Sequence, residues 1–236
     1  MKNYSGPFEK LQAKYLCKLY EGLAHLLCEP LMFDWAEELL DEAESIYLKT
    51  KKHLFTDFDV IKFMLKKSSF LKKYGFFDES LKLLDQLHIQ LNEKLQGSLD
   101  RQKSLMVKKL KFKVHRDQAR LFALKRDEDR AMENHRKAER ILKEELVIGD
   151  KKALNQSMRQ DYSIKIAKLQ LLKGLWTSKF GFERSNEEML EAFHLFADCM
   201  GTEENYYGAN CQLEIGQNYL RQKDNKTCEA FLNQAG

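Results

Sequence analysis

Apolar side chains recur at steps of three and four along nearly the whole chain. That period places them on one face of an α-helix. Leu11, Tyr15, Leu16, Leu19, Leu23 and Leu26 make such a stripe in a first helix running from near Phe8 to Cys28, which Glu29-Pro30 ends. A second begins near Leu31 or Asp34, carries Trp35, Leu39, Ala43, Ile46 and Tyr47 inward, and fades in the lysines around Lys49 to Lys52. Thr56 or Asp57 opens a third, because a short side-chain oxygen can accept an otherwise orphan amide. This helix carries Val60, Phe63, Met64, Ser68, Leu71 and Tyr74, and Gly75 supplies the permissive backbone of a sharp exit. Asp78 is the expected cap of a fourth, with Leu81, Leu84, Leu87, His88 and Leu91 inward and Gly97-Ser98 as its close.

The same reading continues downstream. A long basic helix is expected from about Leu99 to Lys125 and a sixth through Met132, Ala138, Ile141, Leu142 and Leu146, with a turn at Gly149-Asp150. A seventh runs from about Ala153 to Trp176, a turn covers Phe180 to Ser185, and an eighth spans Asn186 to Met200. After Gly201-Thr202, a ninth holds Tyr206, Leu213, Ile215 and Leu220, and a tenth starts near Lys226 and is incomplete at Gly236. Sustained period-two alternation is absent, so strands are not expected.

Composition supports this pattern. The only prolines are Pro7 and Pro30, which leaves 206 proline-free residues after Pro30. Helices joined by short turns need that, since proline breaks helix interiors. Charged residues make up 32% of the chain, yet the net charge is only +4, the mixture expected of solvated helix faces. Cys17, Cys28, Cys199, Cys211 and Cys228 are odd in number and include no CxxC pair. A disulfide framework or zinc site is therefore not expected, and a reducing intracellular setting, nucleus or cytoplasm, is. Residues 1–10 lack the apolar core of a signal peptide, and no apolar run reaches a membrane span. The expected organisation is a single repeat domain over residues 1–236, with a sub-boundary near 97–100.

Helix, short turn, helix without strands allows a closed bundle or an open solenoid. Internal repetition favours the solenoid. The segment Phe70-Leu71-Lys72-Lys73-Tyr74-Gly75-Phe76-Phe77-Asp78-Glu79-Ser80-Leu81 resembles the tetratricopeptide hairpin. There a glycine ends one helix, an aromatic follows, and a small residue lets the second helix approach; Gly75, Phe77 and Ser80 match those roles. Ala119 to Leu124 followed by Asp129-Arg130-Ala131 has the same layout with the glycine missing, and Ala36 and Ala43 take the small-residue part in the second helix. Echoes recur at intervals in the forties and fifties rather than at 34, which points to long helices in a degenerate array. The expected fold is all-α, with antiparallel helical hairpins stacked as a TPR-like α-solenoid.

Leu171-Leu172-Lys173-Gly174-Leu175-Trp176-Thr177-Ser178, then Ser185, Met189, Ala192-Phe193 and Ala197, resembles the FAT region of ATM-type phosphatidylinositol-3-kinase-related kinases. In that region a helix ends in a glycine–x–tryptophan step, and a linker leads to a helix with an apolar-aromatic-alanine row. Gln118 to Leu142 before it and Cys211 to Phe231 after it have the helix order the resemblance implies. The acidic residue usual shortly after the tryptophan is missing, and the family's kinase motifs are absent. The resemblance implies a fragment of a longer serine/threonine kinase, whose helical repeats cradle a downstream kinase domain in the same polypeptide in DNA-damage signalling.

Candidate chemistry is sparse. His115-Arg116-Asp117 spells the kinase catalytic-loop triplet, but that loop needs an Asn five residues past the Asp, where Phe122 stands. The expected reading is an exposed charged helix face. No P-loop, HExxH or GxSxG is present. His25 and Cys28 alone share helical ligand spacing, two short of tetrahedral zinc. No catalytic, cofactor-binding or metal residue is therefore assigned, and no cofactor is expected. Lys103, Lys108, Lys109, Lys111, Lys113 and Arg116 could grip phosphates. Interleaved apolar residues and the absence of a stacking platform favour a solvated face or a contact with an acidic protein segment. Phe70, Tyr74, Phe76 and Phe77 read as a packing plug between repeats, as do Trp35 and Trp176.

The expected function is a non-catalytic scaffold for protein partners. In the FAT-like version the stack supports a kinase domain. In the tetratricopeptide-like version it binds a partner's peptide or helix, which requires a row of Lys, Arg or Asn on the inner face. A regulatory nucleic-acid-binding protein using the helix around Lys103 to Arg116 is the other class.

Overall fold

The computed structural model describes residues 7–26, 32–50, 55–96, 99–143, 156–202 and 205–235. Ten helices and no strand occur among them: α1 Pro7–Leu26, α2 Phe33–Thr50, α3 Asp57–Lys73, α4 Phe77–Gln96, α5 Arg101–Leu124, α6 Glu128–Arg140, α7 Gln156–Thr177, α8 Phe182–Met200, α9 Tyr206–Arg221 and α10 Asn225–Ala235. Consecutive helices pair, and within each compact unit the hairpins pack in chain order. The units comprise residues 1–90 and 91–236. The expected His25–Cys28 pair, the Glu29-Pro30 stop, the Gly97-Ser98 close, Leu146, the Gly149-Asp150 turn and the Ala153 start lie outside the described residues or side chains.

Local chemistry explains the helix ends. Thr56 closes a capping box: its hydroxyl accepts the Asp59 amide at 3.2 Å, and the Thr56 amide donates to the Asp59 carboxylate at 3.0 Å. Asp100, Asp127 and Asn205 cap α5, α6 and α9 in the same way, accepting from the amide three residues on. Asp78 is not a cap. Because α4 begins at Phe77, its carboxylate lies in the first turn, where it meets the positive end of the helix dipole.

Three hairpin turns share one geometry. After α3, α5 and α9 the chain passes through a left-handed residue: Gly75 (φ 89°), Arg126 (φ 60°) and Lys223 (φ 64°). The next amide then reaches back to a carbonyl five residues earlier, Phe76 to Leu71 at 3.0 Å, Asp127 to Phe122 at 2.9 Å and Asp224 to Tyr219 at 3.0 Å. The turn without glycine noted at Ala119 to Ala131 thus forms with Arg126 in glycine's place.

Each hairpin closes on two small residues. Ala24 and Ala36, Ser68 and Ser80, Ala119 and Ala131, and Gly216 and Cys228 are twelve apart, and Gly174 and Ser185 eleven. All are buried. Ser80 Oγ donates to the Ser68 carbonyl at 2.8 Å, and Ser185 Oγ to the Gly174 carbonyl at 2.8 Å. A Cβ on Gly174 would stand 2.8 Å from Met189 Sδ, so a larger residue there would make the Met189 side chain move. Seven residues beyond the second small position come Ala43, Leu87, Ala138 and Ala192, each at most 1% exposed. Ser185 sits inside α8, so the expected Phe180–Ser185 turn is shorter than anticipated and the helix starts at Phe182.

Unit 1 is filled with aromatic side chains around α1, α2 and α3: Tyr47 lies 4.3 Å from Phe55 and 4.8 Å from Phe63 between ring centroids. The expected inward stripe of α1 proves wrong in part. Cys17 and Ala24 face the core, with Cys17 Sγ 3.8 Å from the Ala43 carbonyl, whereas Tyr15, Leu19 and Leu23 are exposed. Small residues at the contact let α2 come close, and the larger apolar side chains fall on the opposite flank. Trp35 is likewise 63% exposed rather than a plug, because the buried row of α2 runs through Ala36, Leu40, Ala43 and Tyr47, one residue out of phase with it.

Candidate protein-binding surface

The basic stretch of α5 resolves into distinct faces. Lys109, Lys113, Arg116 and Arg120 follow i, i+4, i+7, i+11 spacing, which sets them in one row along the helix. Lys109, Lys113 and Arg120 are exposed and Arg116 is half-buried. The row lies away from α6: His115 Nδ1, 3.0 Å from Asn134 Oδ1, and Phe122, whose ring lies 4.7 Å from the Arg130 guanidinium, mark the flank that faces α6. On α7 the residues toward α8 are Gln170, which donates to the Glu191 carboxylate at 2.6 Å, and Gly174. Lys165 and Lys168 are exposed on the side away from them, with Asp161 the acidic exception at the start of that row. α5 and α7 adjoin as the leading helices of successive hairpins. Lys168 Nζ also sits 4.5 Å from the Tyr207 ring of α9 and Lys165 Nζ 4.8 Å from that of Tyr162, contacts that hold both ammonium groups over aromatic faces.

The triplet His115-Arg116-Asp117 is not the exposed charged face expected. His115 and Asp117 are 4% and 7% exposed, and Arg116 folds onto Asp117 with Nε 3.1 Å and a terminal nitrogen 3.0 Å from Oδ1. The segment is a hairpin joint, with the imidazole satisfied by Asn134. Beside it, His135 is 4% exposed and stands edge-on to Trp176 at 6.2 Å. Burial, reinforced by the Lys173 ammonium, pulls its pKa down to about 4.

Aromatic residues Phe70, Tyr74 and Phe76 do assemble, and the residue that gathers them is Phe33 at the start of α2. Its ring centroid lies 5.3 Å from Phe70, 4.9 Å from Tyr74 and 4.8 Å from Phe76. Sequence reasoning missed Phe33 because it falls at a helix start, where periodicity carries no information. Trp176 is buried, as anticipated. Also unforeseen is a buried amide joint in unit 2: Asn218 of α9 donates to Ser185 Oγ at 3.0 Å and Asn186 Oδ1 at 2.8 Å, and accepts from Arg221 at 3.1 Å. No periodicity marks it, since the residues are polar and lie on different helices.

Cys17, Cys199, Cys211 and Cys228 are thiols; burial raises Cys17 to about 11 and Cys211 to about 12, which suppresses the nucleophilic thiolate. Among the described residues there is no group of three or more His, Cys, Asp and Glu placed to hold a metal, and no helix is long and apolar enough to cross a membrane.

Paired helices, close small-residue contacts and repeated turns define a helical-repeat protein of the TPR-like class. No family model matches the chain, and no curated protein matches it. Among solved structures it is similar to BtubC (BKLC) from P. vanneervenii, with 14% identity, coverage of 96% of this chain and 87% of that chain, and a TM-score of 0.56. It is also similar to a putative kinesin light chain with nearly identical TPR-like repeats from Podosopora anserina, with 16% identity, 92% of each chain covered and a TM-score of 0.50. At these identities the likeness establishes the fold.

Proposed function

We propose that the chain is a non-catalytic, TPR-like adaptor whose basic row on α5 and α7 grips an acidic segment of a partner protein. The observation that carries this reading is the set of exposed cations: Lys109, Lys113 and Arg120 on the α5 face turned away from α6, and Lys165 and Lys168 on the α7 face turned away from α8. Long cationic side chains at one edge of a packed surface steer and hold an anionic strand without a deep pocket. The reading takes residues 1–236 as a single repeat domain, assigns no cofactor or metal, and sets the protein inside the cell, in nucleus or cytoplasm. Fluorescence anisotropy with a labelled Asp/Glu-rich peptide, its Asn/Gln counterpart and a single-stranded oligonucleotide tests it. The acidic peptide should bind best, and the combined Lys109→Glu and Lys113→Glu variant should weaken it at least about tenfold, equivalent to about 1.4 kcal/mol. Tighter binding of the oligonucleotide with a steep salt dependence would move the assignment to nucleic acid.

A finer reading makes the repeats the FAT-like support of a kinase domain in an ATM-type DNA-damage-response kinase. It is favoured by the residues of that resemblance forming one contact: Gly174 admits Met189, Ser185 bonds the Gly174 carbonyl, and Trp176 is buried beside them. Transcript sequence downstream of Gly236 tests it, a kinase-encoding extension supporting it and an immediate stop codon refuting it.

A further inference from the structure

The exposed cations of α5 and α7 are not equally free. Lys109, Lys113 and Arg120 of α5 make no ring contact or ion pair among the described residues. Long side chains of this kind range over many rotamers, and docking has to freeze them. Lys165 of α7 sits 4.8 Å from the Tyr162 ring, one turn earlier on the same helix, so that contact is local.

Lys168 differs from all of these. It is exposed, yet its Nζ lies 4.5 Å from the centre of the Tyr207 ring, which belongs to α9. That ring is itself fixed. It stacks on Phe196 of α8 at 4.7 Å with 13° between the planes, and Phe196 is fully buried. Tyr207 also packs against the cluster of Ala167, Ala192, Phe196 and Cys211, in which Ala167 is the neighbour of Lys168 along α7. Side chains of three helices thus meet at one exposed ammonium. At an exposed site the attraction of an ammonium for an aromatic face favours the seated rotamers by about two- to fivefold.

We infer that Tyr207 is a positioning residue of the surface proposed above for an acidic segment, a role that rests on that reading of the surface. Tyr207 holds the Lys168 ammonium in one place, and this ammonium, rather than the freer cations of α5, fixes where one carboxylate of the segment docks. The two groups of cations then act on different steps. Unrestrained charges draw an anionic chain in and so set association. A charge already held where it is needed loses less freedom on binding and so sets residence.

Stopped-flow anisotropy of the full chain with the labelled Asp/Glu-rich peptide tests the assignment. Lys113→Ala should slow association and leave dissociation nearly unchanged. Lys168→Ala, at an exposed position, should speed dissociation. Tyr207→Leu should speed it about two- to fivefold, and Tyr207→Phe, which keeps the ring face, should restore the parental rate. In the Lys168→Ala background Tyr207→Leu should add nothing, a result that a merely structural role for Tyr207 would not give. Lysines carrying isotope-labelled dimethyl groups report the contact with no peptide present. The Lys168 signal, identified by its absence from Lys168→Ala, should be shifted upfield by the ring in the parent and in Tyr207→Phe, and should join the exposed lysines of α5 in Tyr207→Leu. If the parent binds and Tyr207→Leu leaves dissociation unchanged, or speeds it equally without Lys168, the role of Tyr207 is overturned and the reading of the surface stands. A Lys168 signal without the ring shift would overturn that role as well. A parent that keeps the ring shift and ignores the peptide would overturn the reading of the surface and this role with it.

Discussion

The α3–α4 hairpin of unit 1 and the α5–α6 hairpin of unit 2 share the same turn hydrogen bonds and a pair of small residues twelve apart, yet they are finished with different chemistry. The first turns on Gly75 and is plugged by rings gathered around Phe33. The second turns on Arg126 and is joined by a buried imidazole and amide, His115 with Asn134 and His135 beneath Trp176. Hairpin geometry thus tolerates a wide choice of fillers provided the contact positions stay small. Aromatic filling is forgiving in direction, whereas buried polar filling is satisfied in one register only and penalises any other.

That contrast can be broken or sharpened by experiment. The largest effect belongs to the aromatic side: Phe63→Ala, at a ring 1% exposed, should cost about 3–5 kcal/mol in urea unfolding, and a loss below about 1 kcal/mol would show that unit 1 collapses to fill the space. Next comes pH. His135 is held neutral in the folded state with its pKa near 4, while the unfolded chain takes up the proton below 6.5. Its contribution is therefore complete above pH 6.5 and is lost as pH falls from there to about 4, on the order of 3 kcal/mol in total. The surrounding Lys173, Glu139, Glu188 and Lys143 modulate that figure. His135→Gln should flatten stability across the window; an unchanged slope would assign the acid sensitivity to other groups.

A middling effect is expected at the amide joint of unit 2. Asn218→Ala strips Ser185 and Asn186 of a buried donor and should destabilise by about 1–3 kcal/mol. Asn218→Leu should fare no better, because those partners remain. The smallest effects lie in the turns and have opposite signs. Gly75→Ala should cost about 1 kcal/mol, and Arg126→Gly should gain a similar amount, since only glycine adopts positive φ without steric penalty. Differential scanning calorimetry of both variants checks the pair, and equal signs would refute the claim that the two turns are equivalent.

Much of the fold was legible in the sequence because helix formation is a local matter. Periodicity, proline absence and caps such as Thr56 depend on residues within a few positions of each other, and the ten helices fall close to where those signals put them. The hairpin signature at Gly75 and Ser80 was legible for the same reason. The candidate surface was half legible: the lysines of α5 stand out in sequence, but which of them stay exposed and which flank α6 covers do not, because that requires the rotational setting of packed helices.

By itself, then, the sequence determined that this protein is all helix, where its hairpins turn and which residues are small enough for close contact. Tertiary structure alone decided which face of each rod is spent on packing. It turned Tyr15, Leu19 and Trp35 to solvent and drew His115, Asp117 and Asn218 into the interior. The physical reason is that an amphipathic pattern specifies a helix and a range of usable faces, while the face actually buried is chosen by the closest approach between helices. That approach is set by Cys17, Ala36, Gly174 and Gly216, residues whose importance lies in what they leave out.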